Sequence, residues 1–252
     1  MSLSDQILEM LETAEVPISG EELAGKLGVT RNSVWKAVNK LKEAGYEIEA
    51  ATNRGYFLRS DENALTPQSV RRLLTGSARR CTINVQDSVT STNTVLKAVA
   101  EQGGAEGMTL IAQQQTQGKG RLGRTFLSPK GTGLYISVLL RPKFSAEESL
   151  CVTTAAAVAV AEAIDRVTGQ YAQIKWVNDV YVKGRKVCGI LTEASVDFEN
   201  SGLNYAIVGI GINVQEPVGG FAPEIRDVAG ALYSGEVPAG VRTRLGAVLL
   251  NS

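Results

Sequence analysis

The stretch GKGRLGR, residues 118–124, runs directly into RTFLSPKGTGLYISVLL, and that succession restricts the fold more than any other feature of the chain. Gly118-x-Gly120-x-x-Gly123 has the letters of a dinucleotide-binding fingerprint. That fingerprint needs a strand before it and a helix opening from it toward a pyrophosphate. The strand is present in MTLIAQQQ, but Pro129, Gly131 and Gly133 lead into an apolar, strand-like run instead of a helix. No helix dipole is then aimed at a phosphate, and no Gly-Lys-Ser/Thr closes a P-loop. What remains is a glycine-rich loop between two strands, interleaved with Lys119, Arg121 and Arg124. Its glycines bring backbone N–H groups close to a ligand, and its cations suit a phosphate or a carboxylate. Standing alone, it also reads as a charged hairpin loop.

Two regimes of pattern divide the chain near residue 62. Residues 1–62 read as a winged helix-turn-helix. Ile7, Leu8 and Leu11 recur at helical spacing, Ser19 and Glu22 form a capping box for GEELAGKL, and Gly28 ends that helix. Thr30 caps a longer helix, RNSVWKAVNKLKEAG, and YEIEAATNRGYFLR gives two short strands around Asn53, Arg54 and Gly55. The last helix carries Arg31, Lys36, Lys40 and Lys42 against Glu43 alone. Thr30, Arg31, Asn32 and Ser33 at its start, with Lys36, are of types that reach phosphates and base edges, and Arg54 at the hairpin tip reaches the adjacent backbone or minor groove. The 26 Lys and Arg balance 26 Asp and Glu, so any nucleic-acid binding rests on this local surface. The plain alternative is a protein-interaction module with a solvated basic face.

Residues 63–252 mix strands and helices. Thr66-Pro67 opens a short helix, longer helices are predicted at 92–102 and 147–168, and strands at 82–86, 108–115, 132–140, 172–177, 180–183, 187–194 and 204–214. Segments such as IKWVNDVYVKGRKVCGILTEA alternate around Asn178-Asp179 and Lys183-Gly184. This predicts an α+β fold with an antiparallel or mixed sheet and its helices to one side. The Ala-rich run LCVTTAAAVAVAEAI is too short to span a bilayer, and the N-terminus lacks the basic region of a signal peptide. Cys81, Cys151 and Cys188 have no metal-ligand spacing and read as reduced thiols of a cytoplasmic protein. The chain has no histidine, which removes Ser-His-Asp and Cys-His catalysis and every histidine base or metal ligand. Chemistry must rest on Lys, Arg, Asp, Asn and backbone groups.

Taken singly, the downstream polar residues have plain readings: Lys175 and Lys186 as surface lysines, Asn178-Asp179 as a turn, Asn213 as a satisfied core amide. Taken in order, STN (91–93), QQQTQGKGRLGR (113–124), KWVND…GRKVCGIL (175–191) and GIGIN (209–213) closely resemble the motifs of biotin protein ligases. With the N-terminal module, the chain resembles the bifunctional biotin ligase and biotin operon repressors over nearly its whole length. It departs from the family pattern in Lys119 for the usual arginine, Phe126 for tryptophan and Val177 for proline. The family's SH3-like C-terminal domain has no counterpart before residue 252.

The resemblance implies a two-step acyl transfer. ATP and biotin, with Mg²⁺, give biotinyl-5′-AMP, and a lysine of a biotin carboxyl carrier protein then takes the biotinyl group. It implies that Ser91, Thr92, Asn93 and Gln115 hold the biotin head, and that Lys119, Gly120 and Arg121 wrap the carboxylate and α-phosphate. Lys186 is implied to stabilise phosphate charge, making Arg121 and Lys186 the catalytic pair. Arg124, Lys175, Asn178, Asp179 and Asn213 support them, and Asp179 is the candidate for a protein ligand to Mg²⁺. Gly118, Gly120 and Gly123 are implied to let the loop order over the adenylate, favouring a homodimer on operator DNA. Two other classes are weighed against this: a lipoate ligase or octanoyl transferase, which lacks this loop and uses a histidine, and a non-catalytic repressor that senses biotin or its adenylate.

Overall fold

The computed structural model describes residues 2–12, 14, 16–43, 46, 48–51, 55–58, 64–142, 149–197 and 202–252. The chain divides into two compact units, Met1–Asp61 and Glu62–Ser252.

In the first unit, α1 (Leu3–Glu12), α2 (Gly20–Leu27) and α3 (Arg31–Glu43) precede a hairpin of β1 (Ile48–Ala51) and β2 (Gly55–Leu58). Ile7, Leu8 and Leu11 enter its core, as their helical spacing predicts, and Leu23, Val34, Val38, Leu41, Ile48 and Leu58 complete it. The Ser19 hydroxyl accepts from the Glu22 amide, but the Glu22 carboxylate pairs with Lys26 at 2.8 Å, so the expected capping box is only half formed. Gly28 ends α2 in the left-handed conformation, and Thr30 Oγ1 accepts from the Ser33 amide to start α3. Burying Val34, Ala37, Val38 and Leu41 leaves Arg31, Asn32, Trp35, Lys36, Lys40 and Lys42 exposed on one face. The hairpin is tied in by two bonds between Ile18 and Tyr56, at 2.9 and 2.7 Å. Gly55 (φ +98°) is needed there, because a Cβ would run into the Ile18 carbonyl. Asn53 and Arg54 lie outside the described residues.

The second unit is built on a seven-stranded sheet: β3 (Thr82–Gln86), β4 (Met108–Ala112), β5 (Gly133–Leu140), β9 (Gly202–Asn213), β8 (Arg185–Asp197), β7 (Asp179–Val182) and β6 (Ala172–Lys175), in that spatial order. Only β3–β4 is parallel, so the sheet is mixed. Two strands end earlier than the pattern predicts. β4 stops at Ala112, after which the Gln115 amide bonds to Ser128 across the base of the loop, and β6 stops at Lys175 before the turn 176–178.

The helices α4 (Pro67–Arg72), α5 (Thr92–Glu101), α6 (Ser149–Thr168) and α7 (Val241–Asn251) do not all lie to one side. Ile111, Ile136, Val208 and Ile210 face the core shared with α4, α6 and α7. Residues of the opposite parity, Leu110, Leu139, Tyr205 and Ile207, pack against Leu96 and Ala100 of α5. Among the described residues, the alternation of a strand therefore puts α5 alone of the helices on the second face. The short length of α5 leaves the remainder of that face uncovered for a site. Among the described residues, no helix is long and apolar enough to cross a membrane.

Candidate active site

The uncovered face of the sheet is floored by glycine. Gly209 and Gly211 alternate along β9, and Gly189 of β8 pairs with Gly211. A Cβ on Gly209 would strike Asn93, and one on Gly211 would strike the Phe126 ring. Paired strands without side chains mark a surface approached closely by another group. Here those groups are the N-terminus of α5 and the returning strand of the glycine loop.

Ser91, Thr92 and Asn93 are buried at 2–4 % exposure and are held from below. Gln115 Oε1 accepts from the Thr92 amide (2.8 Å) and the Thr92 hydroxyl (3.1 Å), and Gln115 Nε2 donates to Ser128 (2.9 Å). The Ser137 hydroxyl, from β5, lies 2.6 Å from Thr92 Oγ1 and 2.7 Å from Asn93 Oδ1. Asn93 Nδ2 donates to the Leu191 carbonyl and to Glu193 Oε2 (2.7 Å). Fully satisfied buried networks of this kind fix orientation. They fix the polar wall of a slot over the glycine floor.

The loop itself forms a narrow hairpin. Phe126 N–H donates to the Gly118 carbonyl, Lys119 bridges Thr125, and Gly120 N–H donates to the Arg124 carbonyl at 2.7 Å. Arg121–Gly123 make one 3₁₀ turn at the tip, with Leu122 (φ +56°) and Gly123 (φ +73°) left-handed. No α-helix intervenes before β5. Gly118 is required by packing, since a Cβ would collide with the Phe126 carbonyl and the Ser128 hydroxyl.

Two clefts share one wall. The smaller, about 50 Å³, is lined by Ser91, Thr92, Asn93, Gln115, Lys119 and Phe126 above the glycines. The larger, about 1190 Å³, has an apolar side formed by Phe221, Ala222, Ile225 and Val228 of the segment after β9. Gly120, Arg121, Asn178 and Lys186 line both. Arg121 Nη1 donates to Asn178 Oδ1 (3.0 Å), and Asn178 Nδ2 donates to the Ile190 carbonyl. Lys186 Nζ stands 2.7 Å from Asp179 Oδ1, a buried oxygen for which this ammonium is the counter-charge. The backbone of Lys186 is pinned by bonds to Val228 and Gly230. Two cations thus meet where a polar slot joins a nucleotide-sized cleft. Such a junction suits a reaction that develops negative charge between two bound ligands.

The model of the biotin/lipoate A/B protein ligase family matches residues 85–213. The chain belongs to that family. A helix-turn-helix domain model matches residues 4–57. The bifunctional ligase/repressor BirA of Bacillus spizizenii is 35% identical over 215 residues, 85% of this chain and 66% of that protein. BirA of Escherichia coli is 28% identical over 197 residues, 78% of this chain and 59% of that one. The chain therefore spans somewhat less than two thirds of the length of these curated relatives. The biotin protein ligase of Aquifex aeolicus, solved in complex with biotin and ATP, is 35% identical with a TM-score of 0.53, covering 67% of this chain and 70% of that one.

Of the ligase-family residues expected from sequence, the fold gathers Ser91, Thr92, Asn93, Gln115, Lys119, Gly120, Arg121, Asn178 and Lys186 around the smaller cleft. Arg124, Asp179 and Asn213 line the larger, with Asn213 Nδ2 donating to the Gly230 carbonyl. Lys175 is not brought in. It is exposed on the terminal strand β6, its ammonium 5.3 Å from the Tyr181 ring centroid. Asp179 is committed to Lys186, and no cluster of three or more His, Cys, Asp or Glu side chains gathers among the described residues. The donor set does not fit a protein-built Mg²⁺ site. Cys188 lies under the site on the core face, where burial pushes its thiol far above the ordinary range, so it is no nucleophile.

Sequence reasoning missed Ser137, Ser128 and Glu193, the glycine floor, and the wall at 221–228. A lone serine in the apolar run GLYISVLL was the available signal for Ser137. Nothing periodic marks the wall.

Proposed function

We propose that the second unit activates biotin with ATP to biotinyl-5′-AMP and transfers it to a lysine of a biotin carboxyl carrier protein. The observation that carries this reading is the pair Arg121 and Lys186 at the joint between a hydrogen-bonding slot and a large, half-apolar cleft. The slot of Ser91, Thr92, Asn93 and Gln115 suits the ureido head of biotin, and the large cleft suits ATP. About 50 Å³ is far below the ~300–1,000 Å³ usual for small-molecule sites. Biotin therefore enters as Phe126 and the loop strand yield, and the glycines at 118, 120 and 123 permit that movement.

The chemistry needs no enzyme nucleophile. A biotin carboxylate oxygen bonds to the α-phosphorus while the bond to pyrophosphate breaks, its electron pair leaving with pyrophosphate. Lys186 and Arg121 offset charge on the phosphoryl oxygens, and the Arg121 amide at the loop tip holds the carboxylate. Magnesium would arrive with the nucleotide and not on protein ligands. The direct test is pyrophosphate release in the presence of biotin and ATP.

Arg121 makes one exposed hydrogen bond, to Asn178, so Arg121→Ala leaves folding intact. It removes a charge-assisted contact to the adenylate worth about 1.5–3 kcal/mol. Retention of biotinyl-AMP on a desalting column is expected to fall on the order of 10- to 100-fold. Undiminished retention removes Arg121 from the mechanism.

The first unit, in this proposal, binds operator DNA of biotin genes as a homodimer held by adenylate-loaded second units. The exposed face with Arg31, Asn32, Lys36, Lys40 and Lys42 supports this reading. One module contacts few phosphates and binds weakly, whereas two half-sites engaged together bind tightly. Adding preformed biotinyl-AMP is expected to tighten a gel shift on such a promoter. Arg31→Ala should weaken it on the order of tenfold or more without altering adenylation. A protein that biotinylates its carrier but binds this DNA in neither state refutes the regulatory half alone.

A further inference from the structure

Asn93 uses both hydrogens of its side-chain amide on β8. Nδ2 donates to the Leu191 carbonyl (3.2 Å) and to Glu193 Oε2 (2.7 Å). A carbonyl and a carboxylate accept and offer no hydrogen in return. Together they decide which way round the amide sits. Oδ1 is turned to the other side, where the Ser137 hydroxyl lies at 2.7 Å.

From that point the protons run in one direction. Asn93 Oδ1 carries no hydrogen, so Ser137 gives its one proton to it. The 2.6 Å contact between Ser137 and Thr92 is then made by the Thr92 proton. The other partner of the Thr92 hydroxyl, Gln115 Oε1 at 3.1 Å, is again an acceptor. The hydroxyl protons are therefore used inside a network of Thr92, Asn93 and Ser137 that is 0–4 % exposed. Thr92 turns lone pairs, and no proton, to the slot it lines. Reversing the Asn93 amide reverses the whole chain. Nδ2 would donate to Ser137, Ser137 to Thr92, and the Thr92 proton would be free for the slot. Glu193 opposes that reversal, because Oδ1 would then face a carboxylate.

We propose that Glu193 is a positioning residue for the biotin slot. Through Asn93 and Ser137 it sets Thr92 as an acceptor, and so selects a ligand head that presents N–H groups. The inference rests on the ligase reading above. Glu193 stands behind the wall: it lines neither the smaller nor the larger cleft. It sits two residues beyond Leu191 and on the same face by alternation, opposite Ile207 of β9. A cyclic urea, with N–H on both sides of its carbonyl, matches a wall of acceptors. A head with a ring oxygen at that place sets lone pair against lone pair and is rejected.

Calorimetry with the full chain tests this, using biotin and the two cyclic carbamates in which one ring N–H of its urea is replaced by oxygen. The unaltered protein should prefer biotin to at least one carbamate on the order of 100-fold. Glu193→Gln still offers Asn93 an oxygen and should bind biotin within about threefold of wild type. Glu193→Lys puts a donor where the acceptor stood. Its biotin affinity should fall on the order of tenfold or more, and its preference over that carbamate should narrow by about as much. In adenylation the loss should appear in KM for biotin and not in kcat or in KM for ATP. A residue that merely props the sheet would weaken both ligands alike and leave their ratio unchanged. Equal losses for the two ligands in Glu193→Lys, wild-type biotin binding by it, or a Glu193→Gln as weak as Glu193→Lys overturns the inference. So does an unaltered protein that binds both carbamates as well as biotin. Failure of the unaltered protein to bind biotin at all sinks the ligase reading itself, and this inference with it.

Discussion

Replacing Lys186 by alanine slows formation of biotinyl-AMP on the order of 10²- to 10³-fold, the usual cost of removing one preorganised stabiliser of transition-state charge. Biotin binding changes far less, because Lys186 takes no part in the hydrogen bonds that tie Thr92 to Gln115 and Gln115 to Ser128. The two effects separate a transition-state contact from a ground-state one. The substitution has a second consequence. Asp179 Oδ1 is buried against Lys186 at 2.7 Å, and the variant leaves that oxygen without its counter-charge. Stability should drop by about 1–3 kcal/mol. Adding Asp179→Asn to Lys186→Ala should recover much of that stability in a urea titration without recovering rate. Single-turnover adenylation at the wild-type rate would return Lys186 to a structural role, as the partner of Asp179.

Gly209→Ala is the second large effect. Its Cβ falls on Asn93 Oδ1, and Asn93 cannot simply turn aside, because it is tied to Ser137, the Leu191 carbonyl and Glu193. The side chain must leave its seat, taking the Ser137–Thr92 arrangement with it. Biotin affinity is expected to fall on the order of 100-fold, about 2.7 kcal/mol, measured by calorimetry. Gly246→Ala is the matched control. It lies inside α7 with 3.8 Å to Leu134, so alanine fits and should stabilise by roughly 0.5–1 kcal/mol. Biotin binding by Gly209→Ala at wild-type strength would mean that the ligand does not use Asn93.

Much of this site is legible in the chain because its polar residues come in short runs. Ser91–Asn93 start one helix, Lys119–Arg121 sit on one hairpin, and Asn178–Asp179 fall in one turn, so local pattern finds them together. The floor is different in kind. Gly189 and Gly211 become a surface only through the register of β8 against β9, and Gly209 matters only because Asn93 arrives from a segment over a hundred residues earlier. Pairing register is long-range information that no window of sequence holds. Lys175 shows the reverse failure. It lies three residues before Asn178 and shares the site face with Asp179, its register partner, but β6 is the terminal strand, so the lysine stands over Tyr181 at the sheet edge and lines neither cleft. The placement of α5 on the face opposite the other helices has the same origin, since helical periodicity shows which side of a helix is apolar and not which face of a sheet receives it.

The central claim is that two clefts joined at Arg121 and Lys186 condense biotin with ATP. Pyrophosphate release by the purified chain, with biotin, ATP and magnesium and no carrier, tests it most directly. The account predicts a burst of one pyrophosphate per protein molecule that requires biotin, followed by a slow rate as the retained adenylate blocks turnover. Tight binding of added biotinyl-AMP with no biotin-dependent pyrophosphate release would contradict it, and would make the protein a sensor of the adenylate and not its source.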